Sequence, residues 1–331
     1  MSKIFYSLKL IQTVIKDNKP SKVCLVTSEK LVKKLAWAIK EINIPKAQIV
    51  LIPDGESAKT WKELEILLKK FSQLNLDRES IIVALGGGTV GDLTGFATSI
   101  YLRGVKYIQI PTTLLAQVDS AHGGKTGIDF LNYKNQIGSF YLPVATIIDT
   151  KFLKFLPEEQ VINGLGEIIK YGFIQDLTIL SILRKYTVSS IIDSADLIKI
   201  IKKSIAVKNY FTSKDFEDNN LRSILNVGHT FGHAIELKYK IGHGEAVIIG
   251  MLQELMFTES QGFTSSSVKK NLEWLLNQLE VKVDTKMKAD WNMMIHDKKV
   301  AGKVINFPVI EREGKVRLIK LNLDTLKSMV K

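Results

Sequence analysis

Residues 80–92 read SIIVALGGGTVGD. Six uncharged, largely aliphatic residues run into three glycines, and a helix-like stretch follows over about 89–101. A short apolar run bounded by a turn is the pattern of a strand buried on both faces. Glycine lets a backbone approach its neighbours closely, and the amides at the start of the next helix attract anions. The stretch matches neither the GxGxxG fingerprint nor a P-loop, so a tight strand-to-helix turn accounts for it equally well.

Working outward, the same strand-like composition recurs at 22–28 (KVCLVTS), 48–53 (QIVLIP), 107–112 (YIQIPT) and 144–149 (VATIID). Helix-like stretches at 30–42 and 60–74 lie between them. Strand alternating with helix predicts a parallel sheet covered on both faces, an α/β domain over 1–150. Beyond 151 the strand runs nearly stop. Helical periodicity appears over 158–173, 176–186, 195–211, 223–239, 244–260 and 266–280. VINFPVI and KVRLIKL, flanking EREG, predict a C-terminal hairpin. Residues 151–331 therefore read as a mainly α-helical domain, with ligands expected in the cleft between the two.

The chain has 331 residues, 45% hydrophobic and 24% charged, an ordinary globular composition. No apolar run approaches the ~20 residues that span a bilayer, so no membrane role is expected. Lys3, Lys9 and Lys16 interrupt the first apolar residues, which argues against a secretory signal. The single cysteine, Cys24, permits neither an intrachain disulfide nor a thiolate cluster, and a reducing cytoplasm fits. The net charge of +12 comes from scattered lysines, without the blocks or aromatic motifs of nucleic-acid binding. An anionic small-molecule substrate is the expected partner.

Polar residues follow several strand-like runs: Asp54-Gly55-Glu56 and Lys59, then Pro111-Thr112-Thr113. Such residues converge at the carboxyl ends of a parallel sheet, where nucleotides bind. Asp119-Ser-Ala-His-Gly-Gly-Lys125, followed by Lys134-Asn135, reads as an anion pocket or a surface turn. Three of the five histidines fall within fifteen residues: His229 and His233 at i, i+4 in NVGHTFGHAIE, and His243 in GHGEAV. Catalytic zinc uses three N/O ligands and leaves a position open, and Glu167 in NGLGEIIKYG is a candidate third ligand. Packing or capping histidines account for the pattern as well.

GGGTVGDLTGFATSIYLRGVKYIQIPTTLLAQVDSAHGGKTG, YKNQIGSFYLP, GLGEIIKYG, RSILNVGHTFGHAIE and GHGEAV, in that order, closely resemble the 3-dehydroquinate synthases, within the sugar-phosphate cyclases. The resemblance spans nearly the whole chain, and it implies that 1–150 is an α/β nucleotide-binding domain for NAD and 151–331 a mainly α-helical metal- and substrate-binding domain. It implies conversion of 3-deoxy-D-arabino-heptulosonate 7-phosphate to 3-dehydroquinate and phosphate in the shikimate pathway. The cofactors implied are NAD and a divalent metal, usually zinc, with cobalt as an alternative. It also implies transient oxidation at C5, phosphate elimination, re-reduction and aldol closure.

Residue by residue, the resemblance makes Glu167, His229 and His243 the metal ligands and His233 a proton-relay or substrate residue. Lys125, Asn135, Lys208, Arg222 and Asn226 match substrate contacts. Lys170 matches as well, as does a lysine of Asp297-Lys298-Lys299, with Lys298 ahead of Lys299. The implied catalytic set is Lys125, Lys170, His233, Asn226 and Asp119. Glu56, Lys59, Gly87, Gly88, Asp92, Thr112, Thr113, Asp119 and Lys134 match NAD contacts. Arg103 resembles an arginine that reaches the substrate of a neighbouring subunit, which implies a homodimer.

The chain departs from the family pattern at His122, Tyr133, Gly242 and Phe155, the last removing an expected NAD contact. Two rival readings differ in substrate. A carboxylate-free sibling cyclase, such as a 2-deoxy-scyllo-inosose synthase, would not need Lys208, Arg222 and Asn226 together. A glycerol-dehydrogenase-like oxidoreductase would produce NADH.

Overall fold

The computed structural model describes residues 2–131, 133–297 and 304–328. They form two compact units, Met1–Phe155 and Leu156–Lys331.

The first unit contains β1 (Lys3–Phe5), β2 (Val23–Ser28), β3 (Ile49–Ile52), β4 (Ile81–Gly86), β5 (Lys106–Pro111), β6 (Lys125–Phe130), β7 (Tyr133–Phe140) and β8 (Ala145–Ile147). Six of them make one parallel sheet in the order β1-β8-β5-β4-β2-β3. Successive side chains point to opposite faces of a strand. Cys24, Val26, Ile82 and Ala84 accordingly join one apolar layer with Leu64, Leu67, Phe71 and Leu93. Leu25, Ile81, Val83 and Leu85 join the other with Ile11, Ile42 and Phe152. The GGG turn leads into helix α1 (Gly88–Ile100).

Three local features differ from the sequence reading. β1 extends the sheet beside β8. The expected helix over 30–42 is two helices, Glu29–Lys34 and Ala36–Ile42, broken at Leu35. Residues 125–140 form the antiparallel hairpin β6–β7, which lies on α1. There Ser139 Oγ donates to Ser99 Oγ at 2.7 Å, and a Cβ on Gly95 would meet Thr126 Cγ2 at 2.5 Å.

The second unit is helical, with the antiparallel pair β9 (Val304–Arg312) and β10 (Lys315–Asn322) formed as expected. Its main helices are α2 (Glu158–Ile174), α3 (Leu197–Lys214), α4 (His229–Tyr239), α5 (His243–Ser260) and α6 (Ser266–Leu279). Leu221–Asn226 form a 3-10 turn, so the helix expected over 223–239 begins at His229. The hairpin packs Ile305, Phe307 and Val309 against Phe231, Ile235 and Ile249.

Glycines set the spacing of α2, α4 and α5. A Cβ on Gly166 would lie 2.4 Å from the Gly244 carbonyl oxygen, and one on Gly250 would lie 2.0 Å from that of Gly228. Neither approach admits a side chain. The backbones can therefore close to the distance at which Glu167, on α2, meets His229 and His243, the first residues of α4 and α5.

Candidate functional site

Glu167 is fully buried in the second unit. Burial alone would raise its carboxyl pKa, but the Lys170 ammonium one helical turn away and His243 hold it well below the usual carboxylate range. Lys170 is itself only 1% exposed and pairs with Glu167 Oε2. Glu167 Oε1 has His229 Nε2 at 3.4 Å and His243 Nε2 at 3.5 Å. Oε2 is thus taken by the Lys170 ammonium, while among the described residues Oε1 faces the two ring nitrogens at distances beyond a good hydrogen bond.

That triangle fits a metal ion. With metal–ligand bonds of about 2.0–2.1 Å, two ligand atoms on a tetrahedral centre lie about 3.3 Å apart. The spacing is longer than a good hydrogen bond and close to this edge. Both imidazoles are held by their far nitrogens. His229 Nδ1 lies 3.0 Å from the Val227 carbonyl, and His243 Nδ1 lies 3.1 Å from Glu236 Oε2. Burial and the Lys170 charge push His229 well below the ordinary histidine value, which keeps it neutral as a ligand must be. His233, one turn along α4, places its ring 5.0 Å from His229 and 5.9 Å from His243.

Two residues outside the expected set complete the framework. Glu254, buried on α5, accepts hydrogen bonds from the amides of Gly228 at 2.7 Å and Thr230 at 3.2 Å, and so caps α4. Asn163 Oδ1 accepts from the Gly244 amide at the start of α5. A Cβ on Gly242 would meet Asn163 Oδ1 at 2.2 Å, which gives a physical reason for glycine before His243.

Lys208 and Arg222 are both buried. Arg222 Nη1 donates to the Phe216 carbonyl at 2.7 Å. Asp215 holds the same loop, its carboxylate accepting from the amides of Asn219, Asn220 and Arg222. Asn226 is exposed at the end of the 3-10 turn. Lys298 and Lys299 lie outside the described residues.

In the first unit Glu56 and Lys59 follow β3, Gly87 and Gly88 follow β4, and Thr112 and Thr113 follow β5. Lys59, 3% exposed, donates to Asp92 Oδ2 at 3.0 Å and to Asn135 Oδ1, with Glu56 Oε1 at 3.6 Å. Burial would lower its pKa, yet Asp92 and Glu56 raise it above the ordinary lysine value, so it stays charged. Thr89 Oγ1 donates to Glu56 Oε2 at 3.0 Å. Asn135, expected among the substrate contacts, is thus drawn to Lys59, and its amide donates to Asp129 at 2.8 Å.

Gly87 has φ −72°, so its role is close approach: a Cβ there would lie 3.2 Å from Thr113 Cγ2. The Thr112 amide donates to Gly86 across the β4 and β5 ends. Asp119 lies in a π-helical turn, Ala116–Ser120. Gly123 (φ 88°) and Gly124 (φ 69°) then adopt left-handed backbone that favours glycine and lead into exposed Lys125. Lys134 is exposed on β7.

The departures are accommodated. His122 is buried with Nε2 2.9 Å from the Gln117 carbonyl, while Tyr133 and Phe155 are exposed. Arg103 is exposed in a turn where Leu102, Arg103 and Gly104 all have positive φ.

Solved structures share this architecture. A 2-deoxy-scyllo-inosose synthase complexed with carbaglucose-6-phosphate, NAD+ and Co2+ superposes with a TM-score of 0.85 at 23% identity, over 99% of this chain and 95% of that one. A 2-epi-5-epi-valiolone synthase from Streptomyces hygroscopicus, with NAD+ and Zn2+ bound, gives 0.84 at 21% identity over the same shares. The fold is that of the sugar-phosphate cyclases.

Sequence comparison narrows this. The family model for the 3-dehydroquinate synthase N-terminal region matches residues 49–163, and that for its C-terminal region matches 164–300. The 3-dehydroquinate synthase of Dictyoglomus thermophilum is 43% identical over 287 residues, 85% of this chain and 81% of its own. That of Alkaliphilus metalliredigens is 37% identical over 317 residues, 93% and 89% respectively. The chain belongs to the 3-dehydroquinate synthase family.

Proposed function

We propose that the chain converts 3-deoxy-D-arabino-heptulosonate 7-phosphate to 3-dehydroquinate and phosphate, as a carbon–oxygen lyase of aromatic amino acid biosynthesis. The observation that carries the reading is the buried Glu167 oxygen facing His229 and His243 at tetrahedral-edge spacing. These three residues would hold zinc, or cobalt in its place. Glu56, Lys59, Gly87, Gly88, Asp92, Thr112, Thr113, Asp119 and Lys134 would hold NAD. When bound, the two groups supply Lewis acidity at substrate oxygens and reversible hydride acceptance.

The chain's own residues bind and orient the substrate and move its protons. Lys208 and Arg222 answer the carboxylate, because a guanidinium can clamp it through two parallel hydrogen bonds. Lys125, Asn135 and the C-terminal lysine, Lys298, answer the phosphate, and Asn226 completes the substrate contacts. His233, beside both histidine ligands, relays a proton. Lys170 keeps Glu167 ionised and presents a second cation at the site.

The assay that tests this reading is phosphate release from the heptulosonate phosphate with catalytic NAD. Phosphate is expected without matching NADH; stoichiometric NADH would overturn the reading in favour of a polyol dehydrogenase.

The exposed Arg103 turn supports a homodimer in which this arginine completes the partner's site. Heterodimers of Arg103→Ala and His243→Ala chains are expected to regain activity that neither homodimer has. Confirmed heterodimers without rescue would refute sharing. Cys24 is buried and unpaired by any disulfide, and no described helix is long and apolar enough to cross a membrane. Both fit work in a reducing cytoplasm.

A further inference from the structure

We infer that Glu236 is a positioning residue for the metal centre, fixing the His243 ring through Nδ1 so that Nε2 faces Glu167 and His229. The inference rests on the metal reading above and adds a residue outside the ligand set.

Glu236 sits on α4, one turn beyond His233, and reaches across to the first residue of α5. Its Oε2 lies 3.1 Å from His243 Nδ1, a hydrogen-bond length, and its side chain is only 12% exposed. A neutral imidazole carries one N–H; when Nδ1 donates it, the Nε2 lone pair is available to a metal. His229 is arranged in the same way, with its Nδ1 on the Val227 carbonyl. The two rings thus spend one nitrogen on the protein and turn the other to the same carboxylate oxygen.

The acceptors differ in charge. Val227 offers a neutral carbonyl, whereas Glu236 offers a carboxylate. A carboxylate behind a ligating imidazole makes the ring a stronger donor and restrains its rotation. His243 follows a short connection and has a side chain 25% exposed, against 14% for His229. It is the ligand with less packing to hold it, and it has the charged support.

His233, Glu236 and His243 could also form a cation-binding trio of their own. The hydrogen-bond length between Glu236 and His243 favours direct support over ligation of a second ion. The two arrangements differ in metal stoichiometry.

The experiment is zinc titration of the full chain against a chelating dye, with thermal unfolding of the metal-free proteins alongside. Wild type is expected to bind one zinc per chain. Glu236→Gln, which keeps the shape and an acceptor oxygen but loses the charge, should bind it about 10-fold more weakly, and Glu236→Ala up to about 100-fold. Both should keep a stoichiometry of one and near wild-type unfolding temperatures. The visible bands of the cobalt-substituted protein should shift in Glu236→Ala.

Wild-type zinc affinity in both variants would overturn the inference, provided His243→Ala loses the metal. Two zinc ions in wild type and one in Glu236→Ala would overturn it by making Glu236 a ligand. If His243→Ala retains full affinity, the metal reading itself fails, and the inference with it. If Glu236→Ala does not fold, the Gln variant carries the test alone.

Discussion

Each unit buries a lysine against carboxylates, and the two clusters are finished differently. Lys59 donates to Asp92 and Asn135, Thr89 donates to Glu56, and the Asn135 amide donates to Asp129. The acids in that cluster have donors from the protein. In the second unit Glu167 has Lys170 on one oxygen, while the other faces two imidazole nitrogens beyond good hydrogen-bond distance. Burial of a carboxylate without hydrogen bonds costs several kcal/mol unless another charge compensates. The first cluster is a self-sufficient ion-pair network that ties loops together. The second is spaced for a further cation.

The largest expected effect breaks that contrast at its sharper end. His229→Ala removes one of the three proposed protein ligands and should abolish stoichiometric zinc, read by elemental analysis of the purified protein. One zinc per chain in that variant would leave the two clusters chemically alike. Lys59→Met should leave zinc unchanged.

Arg222 tests whether the second unit's charges also select substrate. Arg222→Ala should lower kcat/KM on the heptulosonate phosphate about 10²–10³-fold, because a missing charged partner costs several kcal/mol. Zinc and NAD binding should survive. A site built for a polar group can reject analogues lacking it by about 10⁴-fold, so glucose 6-phosphate should turn over negligibly in wild type. Equal turnover of both substrates would point to a sibling cyclase.

Lys59 carries the converse prediction, on stability. Removing it strands Asp92 and Glu56 beside each other, and breaking such a pair costs about 3 kcal/mol. Urea unfolding of Lys59→Met should show that loss near neutral pH. The folded pKa of Lys59 lies above its ordinary 10.5. Its contribution is therefore complete below that value and fades as pH rises through the folded one. Wild type and variant should converge in stability only in strong alkali.

The contrast between the clusters was unevenly legible in the sequence. The central strands announced themselves because burial on both faces forces continuous aliphatic runs such as SIIVAL. β1 offers three residues beginning with a lysine, and the hairpin strands KTGIDF and YKNQIGSF carry too little apolar periodicity to read as strands. The break at Leu35 has no glycine or proline to mark it. The residues of the proposed metal triangle were visible as types, and the family resemblance pointed to His243 over the nearer His233 as the second histidine ligand. Motif matching gave Asn135 a role but not its contact with Lys59, which joins residues 76 positions apart. Glu236 and Glu254 stayed hidden because a carboxylate on a helix ordinarily reads as a solvated face. Only tertiary packing shows that one touches His243 and the other caps α4.

Glu254 separates holding a helix from tuning a ligand, and its expected effect on the metal is the smallest. Helix α4 begins at His229 behind Gly228, which has φ 80° and no side chain to cap with. Its first amides would be orphaned in the interior, and Glu254 on α5 accepts from two of them. A negative charge there also complements the positive end of the helix dipole. Glu254→Gln keeps one acceptor oxygen, loses the charge and turns a donor toward an amide. It should destabilise the fold by about 1–2 kcal/mol in urea unfolding, the range of a lost cap. Because His229 keeps its own Val227 contact, zinc affinity should fall by less than about 3-fold, short of the loss expected from a direct carboxylate partner. A zinc loss as large as that of Glu236→Gln would mean that α4's N-terminus, more than the Glu236 contact, sets the geometry of the centre.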